Sequence, residues 1–274
     1  MSFSWPLPVP SPVTVKDAIA DLGETRLWYW DTGGSGEIVV FLHAGSQSGA
    51  GWGYQQPAFA AAGYRAIGYS RRGYLNSDSG NIQNPGVASE DLHRLLQYLN
   101  ADRVHLVAVA HGGYFALDYS LSYPEKVISL TLASSMLGVR DEAYDAIQTR
   151  LRPPFFNDLP VDFKELGPSY RAGNPEGHEQ WKKMAKAARP GGRVMPKLKN
   201  TLSWETLEKI QPPVLLMTGD ADLYVPPSIL RLQLSHFPGA ESVVIAEAGH
   251  CANWEQPEAF NKAVLDFIRK HAPR

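Results

Sequence analysis

Short apolar runs alternate with segments of helical periodicity along most of this chain. The apolar runs predict strands at 26–30, 37–43, 65–69, 104–109, 127–133, 214–219 and 242–247. Between them, residues 88–100 and 258–271 carry apolar side chains at helical spacing and predict helices. Such alternation is typical of a mostly parallel central sheet flanked by helices, which places the chain in the α/β class.

The stretch from 138 to 203 interrupts this alternation. Its helical pieces are separated by pairs such as Pro153-Pro154 and Gly167-Pro168. Because it is too long for a connecting loop in a compact domain, we predict an inserted helical cap at 138–203, on a core formed by 1–137 and 204–274. The small excess of basic residues at 141–200 fits either a solvated surface or a cationic lid over an anionic substrate.

Composition narrows the classes of partner. The chain has 274 residues, 44% of them hydrophobic, and a net charge of −2 with 26 basic and 28 acidic residues interspersed. This pattern argues against a nucleic-acid partner, and no apolar run is long enough to span a membrane. The proline-interrupted start does not resemble a signal peptide, so we predict a cytoplasmic protein.

Cys251 is the single cysteine, and we expect neither a metal site nor a cofactor. Nothing in the sequence indicates the oligomeric state.

Residues 104–124 predict a strand, a tight turn of small residues and a helix. Ala108, Gly112 and Gly113 stand where a nucleophile elbow tolerates only small side chains. The segment resembles the elbow of the α/β-hydrolase superfamily, which has the form small-x-nucleophile-x-Gly-Gly. The resemblance places Ala110 at the nucleophile position, where a methyl group cannot attack a carbonyl. Either a serine has been replaced here, or the protein works without an elbow nucleophile.

Two later loops resemble the acid and histidine loops of the same superfamily. The strand at 214–219 runs into Asp220 and Asp222, and the resemblance implies Asp222 as the acid that orients the histidine. Asp220 is the weaker alternative, because its position favours capping the turn. The loop at 247–260 implies His250 as the general base. The chain order 110, 222, 250 is the order of this fold.

A loop ending the second predicted strand resembles the His-Gly-x loop of the superfamily. The resemblance implies that the backbone N–H groups of Gly45 and His111 form an oxyanion hole. Ala44 stands where glycine is usual, and Ser70 replaces the usual aspartate of a later support turn. We expect four side chains of the cap to contact the substrate: Phe155, Tyr170, Arg171 and Trp181. His43 of the loop is a further expected contact, although it could instead hold the loop to its neighbours.

Three functions remain open on the sequence alone. The first is a hydrolase of a small ester, lactone, amide or activated C–C bond, acting through a nucleophile–His–Asp triad. The second is a cofactor-free dioxygenase, a lyase or a water-activating hydrolase that uses only His250 and Asp222. The dioxygenases of this fold have Ser-His-Gly-Gly at the elbow, similar to Ala-His-Gly-Gly here. The third is a non-catalytic ligand receptor, which would not need to retain both His250 and Asp222.

Overall fold

A central sheet organises the structure. The computed structural model describes residues 15–79, 81, 83–190 and 196–272. The strands are β1 (Lys16–Asp21), β2 (Arg26–Asp31), β3 (Ile38–Leu42), β4 (Arg65–Tyr69), β5 (Val104–Val109), β6 (Val127–Ala133), β7 (Val214–Gly219) and β8 (Glu241–Ile245). Their order in the sheet is β1-β2-β4-β3-β5-β6-β7-β8. The pairs β1–β2 and β2–β4 are antiparallel, and all other pairs are parallel.

Helices cover both faces of the sheet. They are α1 (Gln55–Ala61), α2 (Ala88–Tyr98), α3 (Gly112–Ser122), α4 (Glu142–Leu151), α5 (Val161–Glu165), α6 (Pro168–Gly173), α7 (Pro175–Ala187), α8 (Trp204–Leu207), α9 (Pro227–Leu234), α10 (Ala252–Glu255) and α11 (Pro257–Lys270). One apolar cluster lies between the sheet and helices α2, α3 and α9, and another lies under α1 and α11. The predicted α/β fold class is confirmed.

The predicted strands are present with small shifts at their ends, but the apolar pattern does not indicate β1. This strand lies at the edge of the sheet, where most of its side chains are exposed. An edge strand that buries so little apolar surface leaves a weak alternation in the sequence. The pattern therefore identifies the buried strands and misses the exposed one.

Parallel pairing brings the ends of four strands together at one edge of the sheet. Ala110 follows β5, and its N–H donates to the carbonyl of Ala133 at the end of β6, at 2.8 Å. Ser134, the residue after Ala133, therefore lies directly beside Ala110. At the same edge, Asp222 follows β7 and His250 follows β8. Ligand sites in such sheets lie outside the carboxyl ends of the strands.

The segment between β6 and β7 that interrupts the sheet pattern contains helices α4 to α7. Hydrogen bonds hold this segment against the loop that carries His250. The N–H of His250 donates to the carbonyl of Glu165 at 2.9 Å, and the N–H of Gly167 donates to the Glu255 carboxylate at 2.7 Å. Residues 191–195 of the cap predicted at 138–203 lie outside the described residues.

The elbow after β5 leaves no room for a side chain at its first helical residue. A Cβ atom added to Gly112 would lie 2.3 Å from the carbonyl oxygen of Leu42. Because that neighbour is backbone, Gly112→Ala must displace β3 or α3, and we expect a loss of about 1–3 kcal/mol in the free energy of unfolding. Gly51→Ala is the matched control, because its nearest neighbour would lie 3.5 Å away. Urea denaturation of both variants tests this; equal stabilities would contradict the close packing.

Candidate functional site

A cavity of about 620 Å³ opens at the carboxyl edge of the sheet. Ala110, Ser134 and His250 line its base, and Val161, Lys164 and Arg189 line it from the inserted segment. The residues that the sequence assigned to the elbow and to the general base therefore face one space, which is large enough for a small organic molecule.

Asp222 and His250 form a buried pair beside this cavity. His250 Nδ1 lies 2.9 Å and 3.0 Å from the two carboxylate oxygens of Asp222. The carboxylate also accepts hydrogen bonds from the N–H groups of Tyr224 and Val225 and from the hydroxyl of Thr218. These donors fix the carboxylate, and the carboxylate fixes the imidazole. Nε2 is left as the nitrogen that can exchange a proton with a ligand.

Burial and charge act in opposite directions on this pair. Burial disfavours protonation of His250, but the charge and hydrogen bond of Asp222, with Glu165 and Glu255, outweigh burial and raise its pKa above the ordinary 6.5. Burial likewise opposes ionisation of Asp222, yet His250 and the backbone donors keep its pKa below the ordinary 3.8. The arrangement stabilises an imidazolium beside a carboxylate, which is the state formed when a histidine accepts a proton.

Asp220, the alternative acid, does not contact His250. Its side chain accepts a hydrogen bond from the N–H of Ala248 at 3.3 Å and is exposed. This is the turn-capping role that its position in the sequence favours.

Ala110 has the backbone geometry of an elbow residue. Its φ is 52°, in the left-handed region that alanine rarely adopts, and only 7% of its surface is exposed. A non-glycine residue in this region stores strain and is common at functional sites. The methyl group of Ala110 therefore lies at a strained turn that lines the cavity.

Gly45 and His111 lie next to each other at the cavity wall. A Cβ atom added to Gly45 would be 3.4 Å from Cβ of His111, and both residues line the cavity with Ala110. His43, two residues earlier, lies away from this cavity. Its Nδ1 contacts the carbonyl of Ala44 at 2.7 Å, and its Nε2 accepts from the N–H of Arg71 at 3.2 Å.

The side chains that we expected to contact the substrate from the cap lie elsewhere. Phe155 has a left-handed backbone conformation and is 80% exposed. Tyr170 and Trp181 are buried in a separate apolar cluster with Cys251. Arg171 donates to the carbonyls of Phe163 and Leu166 within the inserted segment. The sequence pattern indicates aromatic and basic residues there but not the direction in which each points.

Other residues, which the sequence analysis does not single out, also line the cavity. Lys164 and Arg189 supply positive charge, and the Glu165 carboxylate accepts from the Ser46 hydroxyl at 2.6 Å. The ring centroid of Tyr224 lies 4.3 Å from that of the His250 imidazole.

Ser134 has the same left-handed φ of 52° as Ala110 beside it, and its buried hydroxyl has no hydrogen-bond partner within the described residues. A small residue directly after a buried strand was the only available sign of Ser134.

The described residues contain neither a metal-binding cluster nor a membrane-spanning helix. No group of three or more His, Cys, Asp or Glu side chains in this part of the chain is arranged to hold a metal ion. Across the same residues, none of the helices is both long enough and apolar enough to pass through a bilayer.

Comparison with known proteins adds an independent finding. The model of the alpha/beta hydrolase family matches residues 39–263. A 2-hydroxy-6-oxononadienedioate/2-hydroxy-6-oxononatrienedioate hydrolase of Burkholderia vietnamiensis is 29% identical, over 93% of this chain and 94% of the relative. The protein of that name from Paraburkholderia phymatum is 30% identical, over 89% and 91%. The crystal structure of a bromoperoxidase from Bacillus anthracis aligns with a TM-score of 0.77 at 26% identity, covering 93% of this chain and 100% of that one.

The opposing influences on His250 give a titration that can be measured. We expect 1H–15N NMR to give His250 a pKa above 6.5 in the parent protein. In Asp222→Asn the carboxylate charge is gone while burial remains, so the His250 pKa should fall below 6.5. Asp220→Asn, at the exposed aspartate, is the matched control and should leave the pKa of His250 unchanged. An unchanged pKa in Asp222→Asn would contradict the electrostatic coupling of the pair.

Proposed function

Since this chain belongs to the alpha/beta hydrolase family, we propose that it hydrolyses a small carbonyl compound bearing a carboxylate, with His250 and Asp222 activating a water molecule. The observation that carries the proposal is the buried His250–Asp222 pair beside a cavity whose elbow residue is alanine. The pair can perform base catalysis as it stands, whereas a methyl group cannot form an acyl-enzyme.

The proposed reaction needs only groups at the base of the cavity. A water molecule occupies the space that the hydroxyl of an elbow serine would fill, and His250 Nε2 removes its proton as the water oxygen attacks the carbonyl carbon. Asp222 stabilises the imidazolium. The N–H groups of Gly45 and His111 bind the oxyanion. When the tetrahedral adduct collapses, the bond to the leaving group breaks and His250 returns the proton to that group.

Ser134 is suited to hold the attacking water. It lies beside Ala110 on the neighbouring strand, lines the same cavity, and carries a buried hydroxyl without a partner in the described part of the chain. A buried hydroxyl without a partner is costly, and a bound water would satisfy it. We propose that Ser134 and His250 together orient this water.

The charge of the cavity wall favours an anionic substrate. Lys164 and Arg189 line the cavity, while the opposing Glu165 carboxylate is engaged by Ser46. The similar proteins are named as hydrolases of dioates, which carry two carboxylates and an oxo group. Both cations come from the segment at 138–203, which we propose acts as a cap that selects the substrate. A cytoplasmic location remains a prediction.

Turnover by the chain as it stands tests the proposal. We expect measurable hydrolysis of 2-hydroxy-6-oxononadienedioate, and we expect His250→Ala to lower kcat by about 10² to 10⁴-fold because the general base is lost. Product analysis by mass spectrometry should show addition of one water.

Three results would point elsewhere. Hydrolysis that appears only after Ala110→Ser would favour acyl transfer. Substrate-dependent consumption of O2 would favour the dioxygenase. Binding without turnover in either protein would favour the receptor.

The charge argument gives a separate expectation for substrate affinity. Arg189→Met removes a cation from the cavity wall, and we expect KM for the dioate to rise about tenfold or more, since charge-assisted hydrogen bonds to a carboxylate contribute about 1.5–3 kcal/mol. Arg150→Met is the matched control, because Arg150 lies exposed on α4 away from the cavity. Steady-state kinetics would contradict the assignment if both variants had the same KM.

A further inference from the structure

We infer that Arg71 is a positioning residue of the oxyanion loop, residues 43–46, whose buried positive charge polarises the peptide groups that face the reacting oxygen. The inference rests on the proposed function, which assigns the Gly45 N–H to the oxyanion. Neither the sequence motifs nor the proposed reaction gives Arg71 a role.

Arg71 is a buried cation with an unusual set of partners. Only 3% of its surface is exposed. Its Nη1 donates to the carbonyl of His43 at 2.6 Å, and its Nη2 lies 3.5 Å from the carbonyl of Ala44. Its guanidinium carbon lies 4.9 Å from the ring centroid of Tyr74 and 4.7 Å from that of Phe115. No carboxylate pairs with it in the described parts of the chain. An unpaired buried charge is costly, so backbone dipoles and ring faces must supply its stabilisation.

The carbonyl of Ala44 accepts further hydrogen bonds. The N–H of Gln47 donates to it at 3.3 Å. Burial and the charge of Arg71 hold the pKa of His43 well below 6.5, so its ring is neutral. Because His43 Nε2 accepts from the Arg71 N–H, Nδ1 carries the proton and donates to the Ala44 carbonyl at 2.7 Å. The Arg71 guanidinium therefore acts on this carbonyl directly, while the backbone N–H of Arg71, which a substitution retains, fixes the tautomer of His43.

This carbonyl belongs to the same peptide group as the Gly45 N–H. In a trans peptide the N–H and the C=O point in opposite directions. Donors gathered on the carbonyl side therefore aim the Gly45 N–H away from Arg71 and strengthen it as a donor, since linked hydrogen bonds polarise one another. Gly45 lines the cavity, and its N–H has no protein acceptor among the described residues. The charge of Arg71 thus reaches the reacting oxygen through one peptide group.

A charge-swap series separates this role from simple packing. With 2-hydroxy-6-oxononadienedioate as the probe, we expect Arg71→Met to lower kcat about tenfold while KM changes by less than about twofold, because only the transition state carries the oxyanion. Arg71→Lys keeps the charge and should recover most of the loss. Thermal unfolding checks that the variants are folded, and Arg71→Gln, which keeps donors without the charge, replaces Arg71→Met if the latter fails to fold.

A second measurement does not depend on turnover. The 15N resonance of the Gly45 amide responds to hydrogen bonding at the Ala44 carbonyl, so it should move in Arg71→Met and stay near the parent position in Arg71→Lys. Equal kcat in the parent and Arg71→Met, or a Gly45 resonance that does not move in Arg71→Met, would overturn the inference. If the parent does not hydrolyse the probe, the proposed function fails, and the Gly45 resonance still decides the role of Arg71.

Discussion

The carboxylate of Asp222 is a charge almost completely removed from water, with 2% of the residue exposed. Such a charge is tolerated only where hydrogen-bond donors surround it. β7 supplies Thr218, the loop after β7 supplies the N–H groups of Tyr224 and Val225, and the loop after β8 supplies His250. The need to satisfy this one group therefore fixes both loops, and with them the base of the cavity. Parallel pairing of β5 to β8 then sets Ala110 and Ser134 beside it.

Glu165 of the inserted segment contacts loops on two sides of the cavity. The carbonyl of Glu165 accepts from the N–H groups of His250 and Cys251, while its carboxylate accepts from Ser46 of the oxyanion loop. Behind it, Glu255 accepts three backbone N–H groups, although burial raises its pKa to about 7. A single residue of the insertion thus contacts both the histidine loop and the oxyanion loop. On the proposed function, this residue is where substrate selection by the cap would meet catalysis.

The sequence predicts those parts of the molecule whose local chemistry is constrained. The buried strands follow from apolar runs, and Ala110, Asp222 and His250 follow from short motifs, because a tight turn and a strand end restrict which residues fit. The orientations of Phe155, Arg171 and Trp181, which we expected to contact the substrate, could not be predicted, since composition does not reveal which way a side chain of the insertion points. Arg71 escapes prediction for another reason: its partners are backbone carbonyls, which leave no pattern in the sequence.

A crystal structure of the unmodified chain with a non-cleavable keto dicarboxylate bound would test the central claim most directly. The account predicts an ordered water within about 3.2 Å of both His250 Nε2 and the Ser134 hydroxyl, facing the carbonyl carbon. The carbonyl oxygen should accept from the N–H of Gly45, with a carboxylate at Arg189. A ligand packed against the methyl of Ala110 with no water reaching His250 would contradict the claim that the pair activates water.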